Sequence, residues 1–111
     1  MNELSKAEET YLIAIYRLKD NAYGVSICEM IQKLTGKLYT YGTLYKILDQ
    51  IVRRGYVIKR EGEPTKARGG RRKMFYHLTN KGILALKGSL SVQISLWQGI
   101  DMNSLEGESY R

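Results

Sequence analysis

Basic side chains and hydroxyl groups are the residues of this sequence that could do chemistry, and that chemistry is phosphate binding. Between Lys59 and Lys73, seven basic residues outnumber two acids, Glu61 and Glu63, so this segment carries +5 of the net charge of +7. A positive segment attracts polyanions. Nucleic acid is the first partner to consider and an anionic membrane surface the second. A solvated loop with no partner is the alternative.

Residues suited to catalysis or metal binding are few. His77 is the only histidine and Cys28 the only cysteine, and neither lies at motif spacing from a nucleophile, base or metal ligand. Gly69-Gly70 lacks the Gly-Lys-Ser/Thr ending of a phosphate-binding P-loop. We therefore predict no enzyme activity, no metal site and no cofactor. His77 and Cys28 are predicted to be structural, with Cys28 a small core residue.

Size and apolar pattern limit the class of protein. A chain of 111 residues suits one domain, and its apolar runs fall far short of the ~18 residues that suggest a membrane span. The N-terminus has no cationic start followed by an apolar block, so no signal peptide is predicted. A single cysteine suits a reducing compartment. These features predict a cytoplasmic protein that does not enter a membrane.

The run from Thr40 to Arg54 predicts the helix that positions the phosphate-binding groups. Its apolar residues recur at a period of 3.6, so they share one face, and Thr40 is a plausible N-cap. The opposite face carries small, hydroxyl and basic groups, which suits a recognition helix that enters the major groove by its first turns. Gly42 would let the backbone approach DNA closely. The apolar face comprises Leu44, Ile47, Leu48, Ile51 and Val52.

Two predicted strands follow this helix, at residues 56–60 and 74–78, and a long basic loop joins them. Helix, strand, basic loop and strand is the order of a winged helix-turn-helix, in which an arginine-rich tip can enter a narrow minor groove. The tyrosines near the helix start could donate hydroxyls to phosphates. Half-buried packing is the alternative, and for Tyr45 the two interpretations stand level. The predicted DNA-binding residues are Tyr39, Thr40, Tyr41, Gly42, Thr43, Tyr45, Lys46 and Arg53 of the helix, and Lys66, Arg68, Arg71, Arg72 and Lys73 of the wing.

Three further helices are predicted around this unit. The first spans residues 6–19 behind a Ser5–Glu8 capping box, and the second spans residues 26–34 with Ser26 as N-cap. A final helix over residues 79–100 carries more apolar surface than it can bury on its own chain, so a partner helix from a second chain is expected. The predicted organisation is a winged domain over residues 1–78, a dimerisation helix over 79–100 and a polar, disordered tail over 101–111. The fold class is mainly α with a small β-hairpin wing, in the order α-α-α-β-β-α.

With these motifs in place, the sequence resembles the PadR family of winged helix-turn-helix transcriptional regulators. Four segments carry the resemblance, in the family's order and spacing. They are Tyr23-Gly24-Val25-Ser26-Ile27, the hallmark Gly42-Thr43-Leu44-Tyr45 with Leu48 after it, Gly55-Tyr56-Val57, and the run from Gly70-Arg71-Arg72-Lys73 to Leu78-Thr79-Asn80-Lys81-Gly82.

The resemblance implies a homodimer that represses transcription from a palindromic operator in double-stranded DNA. Dimerisation would use the last helix, with the first helix assisting. In some members a small aromatic effector releases repression and a tryptophan of the last helix lines its pocket, so Trp97 is the matching candidate. A purely hydrophobic anchoring role for Trp97 is at least as good an interpretation. The implied dimer residues are Tyr11, Ile15, Ile83, Leu86, Leu90, Ile94 and Trp97.

The sequence departs from the family pattern next to its hallmark. Lys46 stands where Pro is common, and Thr40-Tyr41 where Ser-Pro is common. These changes affect which operator is read, and Lys46 adds a phosphate or guanine contact that Pro could not make. The main alternative function is a winged-helix module whose basic wing docks an acidic protein.

Overall fold

The computed structural model describes residues 3–64 and 72–108. In this part of the chain, the winged unit consists of α1 (Lys6–Leu18), α2 (Gly24–Thr35), α3 (Tyr41–Arg53), β1 (Val57–Pro64) and β2 (Arg72–Leu78). Helix α4 (Asn80–Trp97) and a short helix α5 (Met102–Glu106) follow, and the 3-10 turn Lys19–Asn21 follows α1. The order confirms the predicted winged helix-turn-helix class.

Local capping determines where most helices begin. Ser5 and Glu8 form the predicted capping box of α1. The Thr40 hydroxyl accepts from the Thr43 backbone N–H at 3.1 Å, and Thr79 does the same for Gly82 at the start of α4. Each hydroxyl satisfies an amide that has no partner inside its helix.

The start of α2 corrects the sequence prediction. The helix begins at Gly24, and Ser26 is its third residue instead of its N-cap. The Ser26 hydroxyl accepts from the Tyr23 N–H at 2.9 Å and donates to the Asn21 carbonyl at 2.6 Å. Ser26 therefore closes the preceding turn from inside the helix, which moves the boundary two residues towards the N-terminus.

The core lies between α1, α2 and α3. Leu44, Leu48 and Ile51 of α3 are completely buried against Ile27 and Ile31 of α2. Burying one such side chain contributes about 1.5–3 kcal/mol. This packing holds α3 firmly by one face and leaves its opposite face outward.

The hairpin is longer than its predicted strands. β1 and β2 pair antiparallel with Val57 opposite Leu78 and Glu61 opposite Met74, and the register shifts between Glu61 and Pro64. Pairing therefore continues into the basic segment that was expected to be loop. Cross-strand hydrogen bonds join residues far apart in sequence, so local pattern does not limit their extent.

Two residues assigned to the dimer interface lie in the core of one chain. Tyr11 is 0% exposed and Ile15 is 1% exposed, because α1 packs against α2, α3, α4 and β2. Burial, with smaller effects from Tyr39 and Cys28, raises the pKa of Tyr11 to about 12. Neither side chain offers surface to a second chain, so both are removed from the dimer assignment.

The C-terminal region projects from the winged unit. Every residue of α4 from Leu90 onward is exposed, and the longest dimension of the molecule is 58 Å. The structure also corrects the prediction of a disordered tail for residues 102–106. The Asp101 carboxylate accepts from the Ser104 N–H at 2.8 Å and caps α5, as aspartate does at helix starts.

Candidate nucleic-acid interface

The exposed face of α3 begins at its first residue. Tyr41, Gly42, Thr43 and Lys46 are all exposed, while the core face of the same helix is buried. A side chain added at Gly42 would meet only the Thr40 hydroxyl oxygen, at 3.8 Å. The fold itself therefore does not require glycine at position 42. Space around this helix start is open to a partner.

Tyrosines at the ends of this face also pack within the chain. The Tyr45 hydroxyl lies against the backbone of Gly24, where an added Cβ would stand 2.2 Å from it. The Tyr39 ring meets the Tyr11 ring edge to face, with centroids 5.9 Å apart. Tyr45 keeps an exposed edge, so packing and DNA contact are compatible for it. Tyr39 is half-buried and mainly supports the helix start.

Tyr23 fixes the wing to the start of α2, and sequence reasoning did not assign it this role. Its ring meets the Phe75 ring edge to face at 5.7 Å, and the Lys73 ammonium lies 4.0 Å above it. The Tyr76 N–H donates to the Ala22 carbonyl at 2.8 Å. Because aromatic and backbone contacts act together here, β2 is held at a defined position beside α2.

The exposed face of α3 and the wing meet at one side of the molecule. A small cavity of about 90 Å³ lies between the start of α2, α3 and β2. It is lined by Tyr23, Gly24, Val25, Tyr45, Arg72, Lys73 and Met74. Three of the predicted DNA-binding residues, Tyr45, Arg72 and Lys73, are thus neighbours although β2 lies 27 or more residues beyond Tyr45 in sequence.

Basic groups of this surface differ in how they are engaged. Lys46 and Arg53 are exposed on α3. Arg72 pairs with Glu61 across the hairpin, with Nη1 3.0 Å from Oε2, and both side chains are more than half exposed. Lys66, Arg68 and Arg71, predicted for the wing tip, lie outside the described residues.

The Arg72–Glu61 pair predicts a substitution that strengthens binding to a polyanion. Glu61→Gln should raise affinity for duplex DNA by roughly two- to fivefold, because an exposed pair is worth about 0–1 kcal/mol and its loss frees Arg72. Fluorescence anisotropy at low salt measures the change. Glu63→Gln, also an exposed acid of the wing, removes the same charge and is the control. An equal gain in both variants would mean that net charge alone acts, without release of Arg72.

A buried carboxylate joins α1 to the end of α3. The sequence analysis assigned Glu8 to the capping box of α1 but did not predict this second role. Glu8 is 1% exposed. Its Oε1 accepts from Arg54 Nη1 and from the Ser5 N–H, and its Oε2 accepts from Gln50 Nε2 at 2.7 Å. Burial alone would raise the pKa of Glu8, but these hydrogen bonds and the charge of Arg54 outweigh it and lower the pKa. We call Glu8, Gln50 and Arg54 the carboxylate clasp.

Metal-binding clusters and membrane-spanning helices are absent from the described residues. Across residues 3–64 and 72–108, no three His, Cys, Asp or Glu side chains come together as a metal site would require. In the same part of the chain, no helix has the length and apolar character needed to cross a bilayer. Cys28 is half-buried and free.

Comparison with known families identifies the class of protein. The model of the transcriptional regulator PadR-like family matches residues 12–88. The chain belongs to this family. This PadR-like chain is therefore a DNA-binding transcriptional regulator and not an enzyme. No curated protein matches it significantly.

Solved structures agree with this assignment. RosR of H. salinarum is 25% identical, with a TM-score of 0.68, over 95% of this chain and 86% of that one. A PadR-like transcription factor from Bacteroides fragilis is 25% identical, with a TM-score of 0.66, over 82% and 84%. The smu.1704 protein of Streptococcus mutans is 26% identical, with a TM-score of 0.66, over 100% and 98%.

Proposed function

We propose that this PadR-like protein is a cytoplasmic homodimeric repressor that binds a pseudo-palindromic operator through α3 and the wing. The observation that supports it most is that Tyr45, Arg72 and Lys73 line one cavity between α2, α3 and β2. Lys46 is exposed on the same helix as Tyr45, and the start of that helix is open. A recognition helix enters the major groove by its first turns while basic groups beside it contact phosphates.

The dimer would form through an apolar stripe on α4. Leu90 is 60% exposed and Trp97 is 49% exposed, and both share a face with Ile83 and Ile94 because their spacings are three and four. Leu86 of the same stripe is half-buried against its own core. Apolar side chains left in water at this spacing favour pairing with a second α4.

A two-fold dimer determines the form of the operator. Two copies of α3 related by a two-fold axis read half-sites about one helical turn, ~10 bp, apart. Binding both half-sites at once raises affinity far above that of one. A dimer placed over a promoter would repress transcription by occupying it.

Release by a small aromatic ligand rests on Trp97. The chain has a single tryptophan, so its fluorescence reports on the proposed α4 interface without interference. Quenching by a flat aromatic compound, with loss of DNA affinity at the same concentration, is the result that supports an effector role. Quenching without loss of DNA affinity contradicts it.

The first experiment is fluorescence anisotropy of a random-sequence duplex across a salt series. We expect affinity to fall steeply with salt, because phosphate neutralisation releases counterions. Lys46→Ala should lower the log–log salt slope by about one unit, whereas removal of a lysine that contacts no phosphate leaves the slope unchanged. Lys33→Ala, an exposed lysine near the end of α2, is the matched control.

Two results would contradict the proposal. An equal change of slope for Lys33→Ala and Lys46→Ala would show that α3 has no special role. Absence of binding at ~50 mM salt, where non-specific binding is strong, would favour the alternative of a wing that docks an acidic protein.

A further inference from the structure

Two adjacent arginines at the end of α3 have different surroundings. Arg53 is exposed. Arg54 turns inward, where Nη1 donates to Glu8 and Nη2 donates to the Glu3 carbonyl at 3.3 Å. Its guanidinium also lies 4.9 Å from the centroid of the Tyr56 ring. Arg54 therefore donates through both Nη1 and Nη2 within the chain, whereas the Arg53 side chain is exposed to solvent.

The carboxylate clasp holds the C-terminal end of α3. Gln50 lies in the last turn of the helix and Arg54 is its C-cap, and both donate to the two oxygens of Glu8. The other end of α3 is held by the contact of Tyr45 with Gly24. With its two ends held by different elements, the helix has a defined tilt relative to α1 and α2.

The tilt of α3 determines where its first turn lies. Thirteen residues make a helix about 20 Å long, so a rotation of ~10° about one end moves the other by roughly 3 Å. A hydrogen bond does not survive such a displacement, since it weakens beyond about 3.2 Å. Loss of the clasp would free the C-terminal end of α3 to tilt about the Tyr45 contact, and the direction in which the first-turn side chains point would change with that tilt.

The chain on either side of Glu8 lies next to α4. Glu3 and Leu4 line a groove of about 440 Å³ whose other side is α4, through Gly88, Ser89 and Val92 among others. Within the same first turn of α1 as Glu8, Glu9 accepts from the Ser89 hydroxyl. The N-terminal segment therefore connects the end of α3 on one side with α4 on the other.

We propose that Glu8 and Arg54 are positioning residues for DNA binding, which hold α3 at the angle to α4 that lets both recognition helices of a dimer engage their half-sites together. This inference rests on the proposed function. A group that positions α3 contributes to specific, two-site binding. It contributes little to non-specific binding, which needs only phosphate contacts.

The test compares Arg54→Gln with Arg53→Gln on two probes, at a temperature where circular dichroism shows each variant folded. One probe is a duplex that the wild type selects from a random-sequence library, and the other is the unselected random duplex. For Arg54→Gln we expect at least a tenfold loss on the selected duplex, a change within about twofold on the random duplex, and an unchanged salt slope. For Arg53→Gln, which removes an exposed arginine predicted to contact DNA, we expect the salt slope to fall by about one on both probes.

Conservative variants separate positioning from folding. Arg54→Lys keeps the charge beside Glu8 and should recover part of the affinity for the selected duplex. Gln50→Ala removes one donor to Glu8 and leaves the Glu8–Arg54 ion pair. It is the variant to measure where Arg54→Gln does not fold. Gln50→Ala should lower the affinity for the selected duplex by a smaller factor than Arg54→Gln does.

Three results would overturn the inference. A folded Arg54→Gln protein that melts earlier yet binds the selected duplex like the wild type would assign the clasp to stability alone. A fall of about one in its salt slope on both probes would make Arg54 a phosphate contact. Failure of the wild type to bind either probe would overturn the proposed function and this inference with it.

Discussion

Replacing Leu90 and Ile94 of α4 by lysine is expected to convert the proposed dimer to monomers and to abolish operator binding. Each side chain would be buried at a two-fold interface, at about 1.5–3 kcal/mol per residue. Both chains carry both substitutions, so roughly 6–12 kcal/mol of favourable burial is lost. A dimer with a micromolar Kd is held by only about 8 kcal/mol, and four new charges would repel one another there as well.

Sedimentation equilibrium measures the monomer–dimer balance, and anisotropy with the selected duplex measures operator binding. Ser95→Lys is the matched control, because Ser95 is exposed on α4 but lies about 140° around the helix from Leu90. We expect Ser95→Lys to remain dimeric. A Leu90→Lys, Ile94→Lys protein that still forms dimers would place the interface elsewhere, and monomers that bind the operator with full affinity would disprove the two-site model.

Replacing Gly42 by leucine is expected to stabilise the fold and weaken DNA binding at the same time. Position 42 is helical and open, so leucine should add about 0.5–1 kcal/mol to the free energy of unfolding through its higher helix propensity. The same side chain would stand between the α3 backbone and the DNA. We expect a 10- to 100-fold loss on the selected duplex, equivalent to one or two base contacts at ~1–3 kcal/mol each.

Chemical denaturation gives the stability change, and anisotropy gives the affinity. Gln32→Leu is the control for an added surface leucine, since Gln32 is exposed near the end of α2, and it should bind DNA like the wild type. If Gly42→Leu binds the selected duplex normally, the first turn of α3 does not approach DNA. A large loss of stability would mean instead that position 42 is packed in the folded protein.

Local pattern predicted the elements of this fold well where neighbours in sequence decide the outcome. The apolar period of α3 correctly assigned Leu44, Leu48 and Ile51 to the core, because burial of a helix follows its own 3.6-residue repeat. The Thr40 cap and the Ser5–Glu8 capping box formed as predicted, because each closes within three residues. The basic segment after α3 indicated a wing on the strength of charge and order alone.

The apolar pattern of the sequence did not predict which element covers an apolar face. The family resemblance implied a dimer role for Tyr11 and Ile15, yet α2, α3, α4 and β2 of the same chain bury them. The wing strands likewise ran past their predicted ends, because pairing between β1 and β2 is a contact at a distance in sequence. An apolar stripe has the same sequence pattern whether its own chain or a second chain covers it.

The sequence by itself determined the order of elements, the buried face of α3 and the concentration of positive charge after it, since helix period, capping and charge act between near neighbours. Only the tertiary structure decided the roles of individual polar groups. Arg53 and Arg54 are adjacent and chemically identical, but Glu8 lies 46 residues before Arg54 and commits that one to the clasp. Which of two like residues meets a buried carboxylate depends on how α1 packs against α3, and packing is a property of the whole core.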